Sequence, residues 1–256
     1  MSKSRRYRTF ALILAVALVM ILPAPAGAII NGIPDGNRHR NTGAIVWLEE
    51  QLVFCSSFLI APRYVATAGH CLEGFAASEI AVTFDEVPSA NSTYYRARTL
   101  TIHPEFDISA GGGLPFFGLH DYGLIELETP VNGVPEADLA PIGTADGLPR
   151  GEPVMETVGY GATDTKGQTL SYPATRHYAK LALSKGNARV TQTHLKVSGK
   201  HTAACFGDSG GPTYVGADLS VVYGITSFGT DPQCAGWNYQ IRTDTQEAHD
   251  FYGAVD

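Results

Sequence analysis

The sequence predicts an all-β fold, and three observations support this prediction. Several short runs are rich in the β-branched and aliphatic residues that favour strands. Gly, Pro, Asn and Asp separate these runs, as expected of tight turns. Only residues 244–252, with the acidic polar start Thr245-Gln246-Glu247, have a helical pattern. The clearest strand candidates are residues 44–48, 65–68, 124–127, 154–158 and 221–227.

The first 28 residues have the pattern of a secretory signal peptide. A basic start is followed by an apolar run over residues 10–22 and by the small-residue pattern Ala26-Gly27-Ala28. The apolar run has 13 residues, whereas a membrane-spanning helix needs about 20. We therefore predict that residues 1–28 are removed and that the protein is secreted to the extracellular space without stable membrane association.

The remaining chain is acidic and large enough for one large or two small β-rich domains. Removing residues 1–28 takes 256 residues to 228 and the formal net charge from −7 to −11. An acidic chain without a basic cluster argues against a nucleic-acid partner. The stretch 135–153 is polar and rich in Pro and Gly, so it is the best internal boundary. We place the two units at residues 29–140 and 141–256.

The four cysteines predict two disulfides. An even number of cysteines in an exported chain is typical of disulfide pairing, and four of them allow three pairings. A zinc site is not indicated, because the chain lacks the C-x-x-C or H-x-x-x-H spacing of such sites. The cysteines are Cys55, Cys71, Cys205 and Cys234.

The stretch "CFGDSGGP" at residues 205–212 contains a candidate nucleophile, Ser209. Its central part also fits G-x-S-x-G, the nucleophile elbow of α/β-hydrolases. That fold requires the chain order serine, acid, histidine, and only His249, within the predicted helix, follows Ser209. Alternating helices and parallel strands are not predicted either. We therefore reject the elbow interpretation.

The opposite chain order, histidine then acid then serine, is complete. "TAGHC" at 67–71 supplies His70 and "DYGLIEL" at 121–127 supplies Asp121. A histidine can take the proton of a serine hydroxyl as it attacks, and a buried carboxylate can orient that histidine. Asp107 is the competing acid, but the apolar strand after Asp121 is expected to bury its carboxylate. The glycine run 110–113 lacks the preceding histidine of a lipase oxyanion loop, and we interpret it as part of a loop insertion.

These motifs, in this order, closely resemble the trypsin/chymotrypsin family of serine peptidases, from "IINGIPDG" at residue 29 to near the C-terminus. The resemblance implies two packed six-stranded antiparallel barrels with a short C-terminal helix and the site between the barrels. It implies an oxyanion hole formed by the N–H groups of Gly207 and Ser209. It also implies the disulfide pairs Cys55–Cys71 and Cys205–Cys234.

The resemblance further implies an activating N-terminus. In the family, a newly freed apolar N-terminus pairs with the aspartate before the nucleophile, which here makes Ile29 the partner of Asp208. Since Ile29 directly follows Ala28, we predict that signal cleavage alone produces the active enzyme. A cut after Ala26 would instead leave a dipeptide to be trimmed.

Substrate preference follows from the residues that the resemblance places around the primary pocket. Ala203 would lie at its base beside Ala204, so a basic side chain would find no counter-charge there. Ser227, Phe228 and Gly229 would form one wall and leave the pocket open. We predict cleavage after large apolar residues.

The expected function is that of a monomeric serine endopeptidase acting on proteins or peptides, with proteinaceous inhibitors as further candidate partners. No cofactor or metal site is predicted, and Asp85-Glu86 is interpreted as a solvated acidic turn. The alternative function is that of a catalytically silent relative acting as a binding protein. All three triad residues and Gly207 are present, which favours the enzyme.

Overall fold

The computed structural model describes residues 29–108, 119–163, 174–185, 192–199 and 201–253. The predicted signal segment 1–28 and the glycine run 110–113 lie outside these residues. No helix within the described ranges is both long and apolar enough to cross a membrane.

Strands dominate the described part of the chain. The short two-residue connection between β12 and β13 contains Gly216 at φ +73°, a left-handed conformation that suits a tight hairpin turn. The strands are β1 (Ile33–Pro34), β2 (Thr42–Trp47), β3 (Leu52–Ala61), β4 (Tyr64–Thr67), β5 (Ile80–Thr83), β6 (Tyr95–Ile102), β7 (Gly123–Leu127), β8 (Asp138–Leu139), β9 (Met155–Gly159), β10 (His177–Leu183), β11 (His194–Ser198), β12 (Pro212–Val215), β13 (Asp218–Gly229) and β14 (Asn238–Arg242).

The first six-stranded unit is a closed antiparallel barrel. Its strands follow the order β2-β3-β4-β7-β6-β5, and β5 pairs with β2 to close it. Burial alternates along β7, where Gly123, Ile125 and Leu127 are buried and the residues between them are partly exposed. This period of two is expected of a strand with one face towards a core. Closure leaves this barrel without an unpaired edge.

The second six-stranded unit closes in the same way, in the order β9-β10-β11-β14-β13-β12. Two short strands extend it: β1 pairs with β10, and β8 pairs with β13. The prediction of two six-stranded antiparallel barrels is confirmed. The strand β8 lies within the stretch 135–153 where the sequence placed a boundary, and the exact boundary at residue 140 stays a prediction.

One α-helix, α1 (Gln246–Tyr252), lies in the described residues, as predicted, but it begins two residues later than expected. The Thr245 side chain accepts a hydrogen bond from the Ala248 amide and so caps the helix. Asp244 lies outside α1, because its carboxylate binds the Arg242 guanidinium and accepts the Ala145 amide.

Each end of the described chain packs against the barrel that the other half of the chain forms. The early strand β1 joins the second barrel, whereas α1 packs against the first. The Tyr252 hydroxyl contacts the carbonyls of Thr67 and Gly123, at 3.0 and 3.3 Å. The main apolar cluster therefore runs through the first barrel, the helix and part of the second barrel.

A buried ion pair fastens the segment after β1 between the barrels. The Arg176 guanidinium donates to the Asp35 carboxylate at 2.8 Å, and both side chains are fully buried. The same guanidinium donates to the Thr42 and Phe84 carbonyls of the first barrel. The Glu86 carboxylate accepts the Gly36 amide, so the stretch 85–86 is tied to this segment and is not merely a solvated turn.

Candidate active site

The partly exposed His70 and the buried Asp121 form a pair at the edge of the first barrel. His70 lies in a 3₁₀ turn, Gly69–Cys71, directly after β4, and Asp121 lies just before β7. Because β4 and β7 are neighbours, the two residues meet. His70 Nδ1 lies 2.8 Å from Asp121 Oδ2, and the His70 amide donates to Asp121 Oδ1 at 2.9 Å. This arrangement fixes the ring and directs Nε2 away from the carboxylate.

In this pair, each residue shifts the pKa of the other in the direction that favours its charged form. Burial by itself raises the pKa of Asp121, but the His70 charge and the hydrogen bonds from His70 and Ser227 outweigh it and lower the pKa. Burial by itself lowers the pKa of His70, and the nearby Asp121 carboxylate reverses this, so the pKa lies above its ordinary value. A carboxylate that stays ionised stabilises the imidazolium that proton transfer to His70 would create.

The structure brings Ser209 to the same cavity as His70. The cavity has a volume of about 780 Å³ and is lined from the first barrel by Phe54 and Phe75 and from the second by Phe228. Ser209 is partly exposed, and its carbonyl accepts the Ser56 amide of the first barrel at 2.8 Å. A hydroxyl and an imidazole thus face one apolar cleft, as nucleophilic catalysis requires.

The turn before Ser209 presents two backbone donors. Within the described residues, the amides of Gly207 and Ser209 donate no hydrogen bond, although their neighbours Asp208 and Gly210 do. Gly207 has φ +93°, and a Cβ there would lie 2.8 Å from the Gly161 Cα. Only glycine fits this backbone without strain. The arrangement offers two preorganised N–H groups to a developing oxyanion.

Both disulfides have the pairing implied by the resemblance. Cys55–Cys71 fastens the turn that carries His70 to β3, and Cys205–Cys234 fastens the turn before Ser209 to the loop before β14.

Asp208 is fully buried without a cation beside it in the described chain. Its carboxylate accepts the Cys205 and Gly161 amides, both at 2.8 Å. Burial raises the pKa of Asp208 to about 7, against the lowering effect of these hydrogen bonds. The Ile29 side chain is also fully buried, and Ile30 pairs its backbone with Ala203. The segment that starts at Ile29 therefore runs towards the residues that precede Asp208.

The structure separates the two alanines predicted for the pocket. Ala204 lines the cavity together with Ser227, Phe228 and Gly229. Ala203 is buried, does not belong to the cavity wall, and accepts the Ile30 amide with its carbonyl. The cavity wall therefore includes Ala204 and not the adjacent Ala203.

Three contributions were missed by sequence reasoning. The Ser227 hydroxyl donates to Asp121 Oδ2 at 2.6 Å, so this residue touches the acid as well as the cavity. The Asn238 side chain exchanges two hydrogen bonds with the Ala204 backbone and fixes it in place. Asp231 is the acidic residue of the cavity wall, and its carboxylate accepts the Gln233 amide. A local sequence pattern does not reveal these contacts, because each joins residues far apart in the chain or within an irregular loop.

The competing candidates lie elsewhere. Asp107 is exposed and pairs its backbone with Leu119, so Asp121 is the acid that contacts His70. His120 turns away from Asp121 with a left-handed backbone, at φ +55°, and its ring contacts Glu247.

Sequence comparison finds a matching family and several related proteins. The family model described as Trypsin matches residues 30–252. Phenoloxidase-activating factor 3 from Holotrichia diomphalia is 30% identical over 204 residues, which cover 68% of this chain and 56% of that protein. A protein named Trypsin from Saccharopolyspora erythraea is 29% identical over 209 residues, covering 75% of this chain and 82% of that protein.

A solved structure has a similar fold. The Vibrio cholerae VesB protease superposes with a TM-score of 0.65 and 19% identity, covering 88% of this chain and 67% of the other. The chain thus spans little more than half of Phenoloxidase-activating factor 3 and two thirds of the VesB chain.

Proposed function

Because the chain belongs to the trypsin family of serine proteases, matched over residues 30–252, we propose that it is a secreted serine endopeptidase. Ser209 is the nucleophile, His70 the general base and Asp121 the residue that orients the histidine. The observation that carries this proposal is the His70–Asp121 pair at the edge of the cavity that also contains Ser209.

The first half of the reaction forms an acyl-enzyme. The Ser209 hydroxyl gives its proton to His70 Nε2 as its oxygen bonds to the carbonyl carbon of the substrate. The carbonyl oxygen becomes an oxyanion and accepts the N–H groups of Gly207 and Ser209. His70 then gives its proton to the leaving amine as the peptide bond breaks. Water repeats these steps on the ester, with His70 again as base, and releases the acid product.

The apolar lining of the cavity supports cleavage after large apolar residues. Burying such a side chain contributes about 1.5–3 kcal/mol, or one to two decades of preference over a small residue. Asp231 adds one acidic group to the wall. A peptide library with Phe, Leu, Lys, Glu or Ala before the cut bond measures the preference, and we expect Phe and Leu to lead. Preferred cleavage after Lys that disappears in Asp231→Asn would show that this carboxylate, rather than apolar burial, selects the substrate.

Activation by signal cleavage completes the proposal. A cut between Ala28 and Ile29 frees an α-amino group that pairs with Asp208, the buried carboxylate that has no cation in the described chain. Ile29 has φ +63°, a conformation that strains a β-branched residue. That torsion exists only while Ala28 is attached, so cleavage removes the strain. The protein then acts as a monomer on proteins or peptides in the extracellular space and is open to proteinaceous inhibitors of such enzymes.

The decisive experiment compares three variants with the parent enzyme. We expect Ser209→Ala and His70→Ala each to lower kcat/KM by a factor of about 10⁴–10⁶, and the double variant to be scarcely worse, because the residues act as a unit. A fluorophosphonate reagent should label the parent at Ser209 and leave Ser209→Ala unlabelled.

The control pair tests the acid. Asp121→Asn should join the inactive class, whereas Asp107→Asn should keep most activity. If a folded parent neither reacts with the reagent nor cleaves peptides, the chain is a silent binding protein. If Ser209→Ala keeps substantial turnover, the serine mechanism is wrong.

A further inference from the structure

Two histidines and one glutamate converge behind Asp121, on elements that are distant in the sequence. His103 directly follows β6, His120 directly precedes Asp121, and Glu247 lies in the first turn of α1. One candidate ligand atom from each side chain lies within 4.8 Å of the other two. No local motif joins these three residues, so the sequence predicted no metal site here.

The geometry of this cluster is compact. The two imidazole rings stack with centroids 5.2 Å apart and planes inclined by 15°. Glu247 Oε1 contacts His120 Nδ1 and lies 3.7 Å from His103 Nε2. Four-coordinate zinc with bonds of about 2.0–2.1 Å separates its ligand atoms by about 3.3 Å. The ligand atoms are thus close to the required separation, but an imidazole binds a metal in its ring plane, so at least one of the two nearly parallel rings must rotate to share an ion.

We propose that His103, His120 and Glu247 form a binding site for a divalent first-row transition metal of the zinc class. Imidazole nitrogens suit zinc, copper and nickel, whereas calcium and magnesium prefer sites built from oxygen ligands. Water completes the coordination, because the exposed Glu105 carboxylate lies 3.9 Å from Nε2 of His120, the ring nitrogen that does not face Glu247.

The cluster is open to an incoming ion. The side-chain exposures are 12% for His103, 27% for His120 and 29% for Glu247. Binding through Nε2 requires His103 to carry its remaining proton on Nδ1, which breaks the 3.2 Å hydrogen bond from the Glu105 amide. That bond is long, and its amide lies on an exposed residue where water can replace the acceptor.

The site lies outside the cavity but close to the catalytic carboxylate. None of its three residues lines the cavity, so a bound ion does not occupy the substrate site. The ion would join the end of β6, the residue before Asp121 and α1. We therefore expect it to stabilise this junction rather than inhibit the enzyme. The other histidine cluster, His70 with Cys55 and Cys71, lacks thiolates because the two cysteines form a disulfide.

The test uses the Ser209→Ala protein, which prevents self-digestion and makes the result independent of the proposed peptidase activity. Isothermal titration of the chelator-treated protein with Zn²⁺ should show one equivalent bound, and Ca²⁺ should show none. At a free zinc concentration a hundred times Kd, the midpoint of thermal unfolding should rise by about 5–10 °C. Cobalt should give the visible absorption of a four-coordinate site.

The variants identify the ligands. His103→Gln, His120→Asn and Glu247→Gln should each weaken zinc binding at least tenfold and remove the thermal shift. Asparagine is chosen at 120 because it tolerates the left-handed backbone. The exposed His201→Gln is the matched histidine control, and both it and His70→Ala should keep the bound equivalent. Circular dichroism of each metal-free variant checks that it is folded.

Four outcomes overturn the proposal. Absence of saturable binding would mean that the cluster is a hydrogen-bonded anchor for α1. Binding that survives in all three ligand variants, or that disappears in His70→Ala, would place the ion elsewhere. Equal binding of Ca²⁺ would exclude the zinc class.

Discussion

Asp35 and Asp208 are both buried carboxylates, yet of the two only Asp35 has a cation, Arg176, beside it within the described chain. Burial by itself raises the pKa of Asp35, but the His39 hydrogen bond and the Arg176 charge outweigh it and lower the pKa. Burial raises the pKa of Asp208 to about 7 with only backbone amides to oppose it. Moving a carboxylate out of water without a cation beside it is costly. The region around Asp208 therefore lacks the cation that the region around Asp35 already has. The proposed N-terminal amine of Ile29 is that cation.

The largest expected effect comes from denying Asp208 its partner. A secreted variant with one extra residue fixed before Ile29 should fold and yet lose at least 99% of its kcat/KM, which is about 2.7 kcal/mol or more of transition-state stabilisation. Without the amine, the Asp208 carboxylate has no cation, and the turn that carries Gly207 and Ser209 loses one of its anchors beside the Cys205–Cys234 disulfide. Steady-state peptide hydrolysis measures the loss. The matched control places a cleavage site for an unrelated protease directly before Ile29, and cutting it should restore activity.

The same ion pair predicts an alkaline limit. The α-amino group has a reference pKa of about 7.7–8.0, and its partner raises this value. The pairing is complete below the raised pKa and is lost as pH climbs through it, so activity should decline above about pH 8–9. Full activity of the extended variant, or activity that does not decline at alkaline pH, would contradict the pairing of the Ile29 amine with Asp208.

The corresponding test at Asp35 removes its cation, Arg176, and measures stability rather than activity. Arg176→Met leaves Asp35 buried with His39 alone and should lower the free energy of unfolding by about 3–5 kcal/mol. Urea unfolding in the Ser209→Ala background measures it. Asp35→Asn combined with Arg176→Met should recover part of the loss, because no carboxylate is then left unpaired. If Arg176→Met changes stability by less than about 1 kcal/mol, the guanidinium is not the required partner.

The pH dependence of stability should distinguish the two carboxylates. In the N-terminally extended chain, the folded pKa of Asp208, about 7, exceeds the unfolded value. Between about pH 4 and 7 the folded state therefore holds a proton that the unfolded state has lost, and stability falls as pH rises, by a few kcal/mol. Asp35 acts oppositely: its pKa is lowered, so its contribution is present above the unfolded pKa and is lost as pH falls.

Denaturant unfolding at several pH values isolates the Asp208 contribution. The difference between the extended chain and its Asp208→Asn variant should change with pH across that window and become constant below about pH 4. After cleavage before Ile29, the decline should disappear, because the amine keeps Asp208 ionised. A constant difference at all pH values would contradict the raised pKa.

The smallest effect concerns Ser227. Its hydroxyl is one of the donors to the Asp121 carboxylate, and the two donors from His70 remain when it is lost. Ser227→Ala should lower kcat/KM by about threefold to tenfold, in line with about 1 kcal/mol for a hydrogen bond. The Asp121 carboxylate, with one donor fewer, then acts more strongly on His70 and raises its pKa. The acid limb of the pH–activity profile should therefore move to higher pH. Ser57→Ala, which removes a buried hydroxyl bonded to the Gly43 carbonyl, should leave that limb in place.

Much of the fold could be predicted from the sequence, because strand runs and turn residues are local signals. All five candidate strands overlap observed ones, and both disulfides follow the pairing implied by the resemblance. Strand β6 was not identified: its sequence YRARTLTI is partly polar, and its place depends on pairing with β5 and β7.

Only those residues of the candidate site that stand in a recognisable motif could be predicted from the sequence. His70, Asp121 and Ser209 each stand in a recognisable stretch, and their roles stay a prediction that the variants test. The placement of Ala204 rather than Ala203 on the wall depends on which face of one irregular turn meets the cavity. The contacts of Ser227 and Asn238 depend on how the barrels pack, and no local pattern encodes that.

The exchange of chain ends between the barrels has a consequence for synthesis in the cell. Tyr252 reaches the Thr67 and Gly123 carbonyls, close to His70 and Asp121, yet it follows Gly123 by 129 residues in the chain. We expect the junction around Asp121 to close only once α1 (Gln246–Tyr252) has been synthesised. A chain ended by a premature stop before residue 246 would therefore lack this closure, and the proposed peptidase activity would not appear before the helix is made.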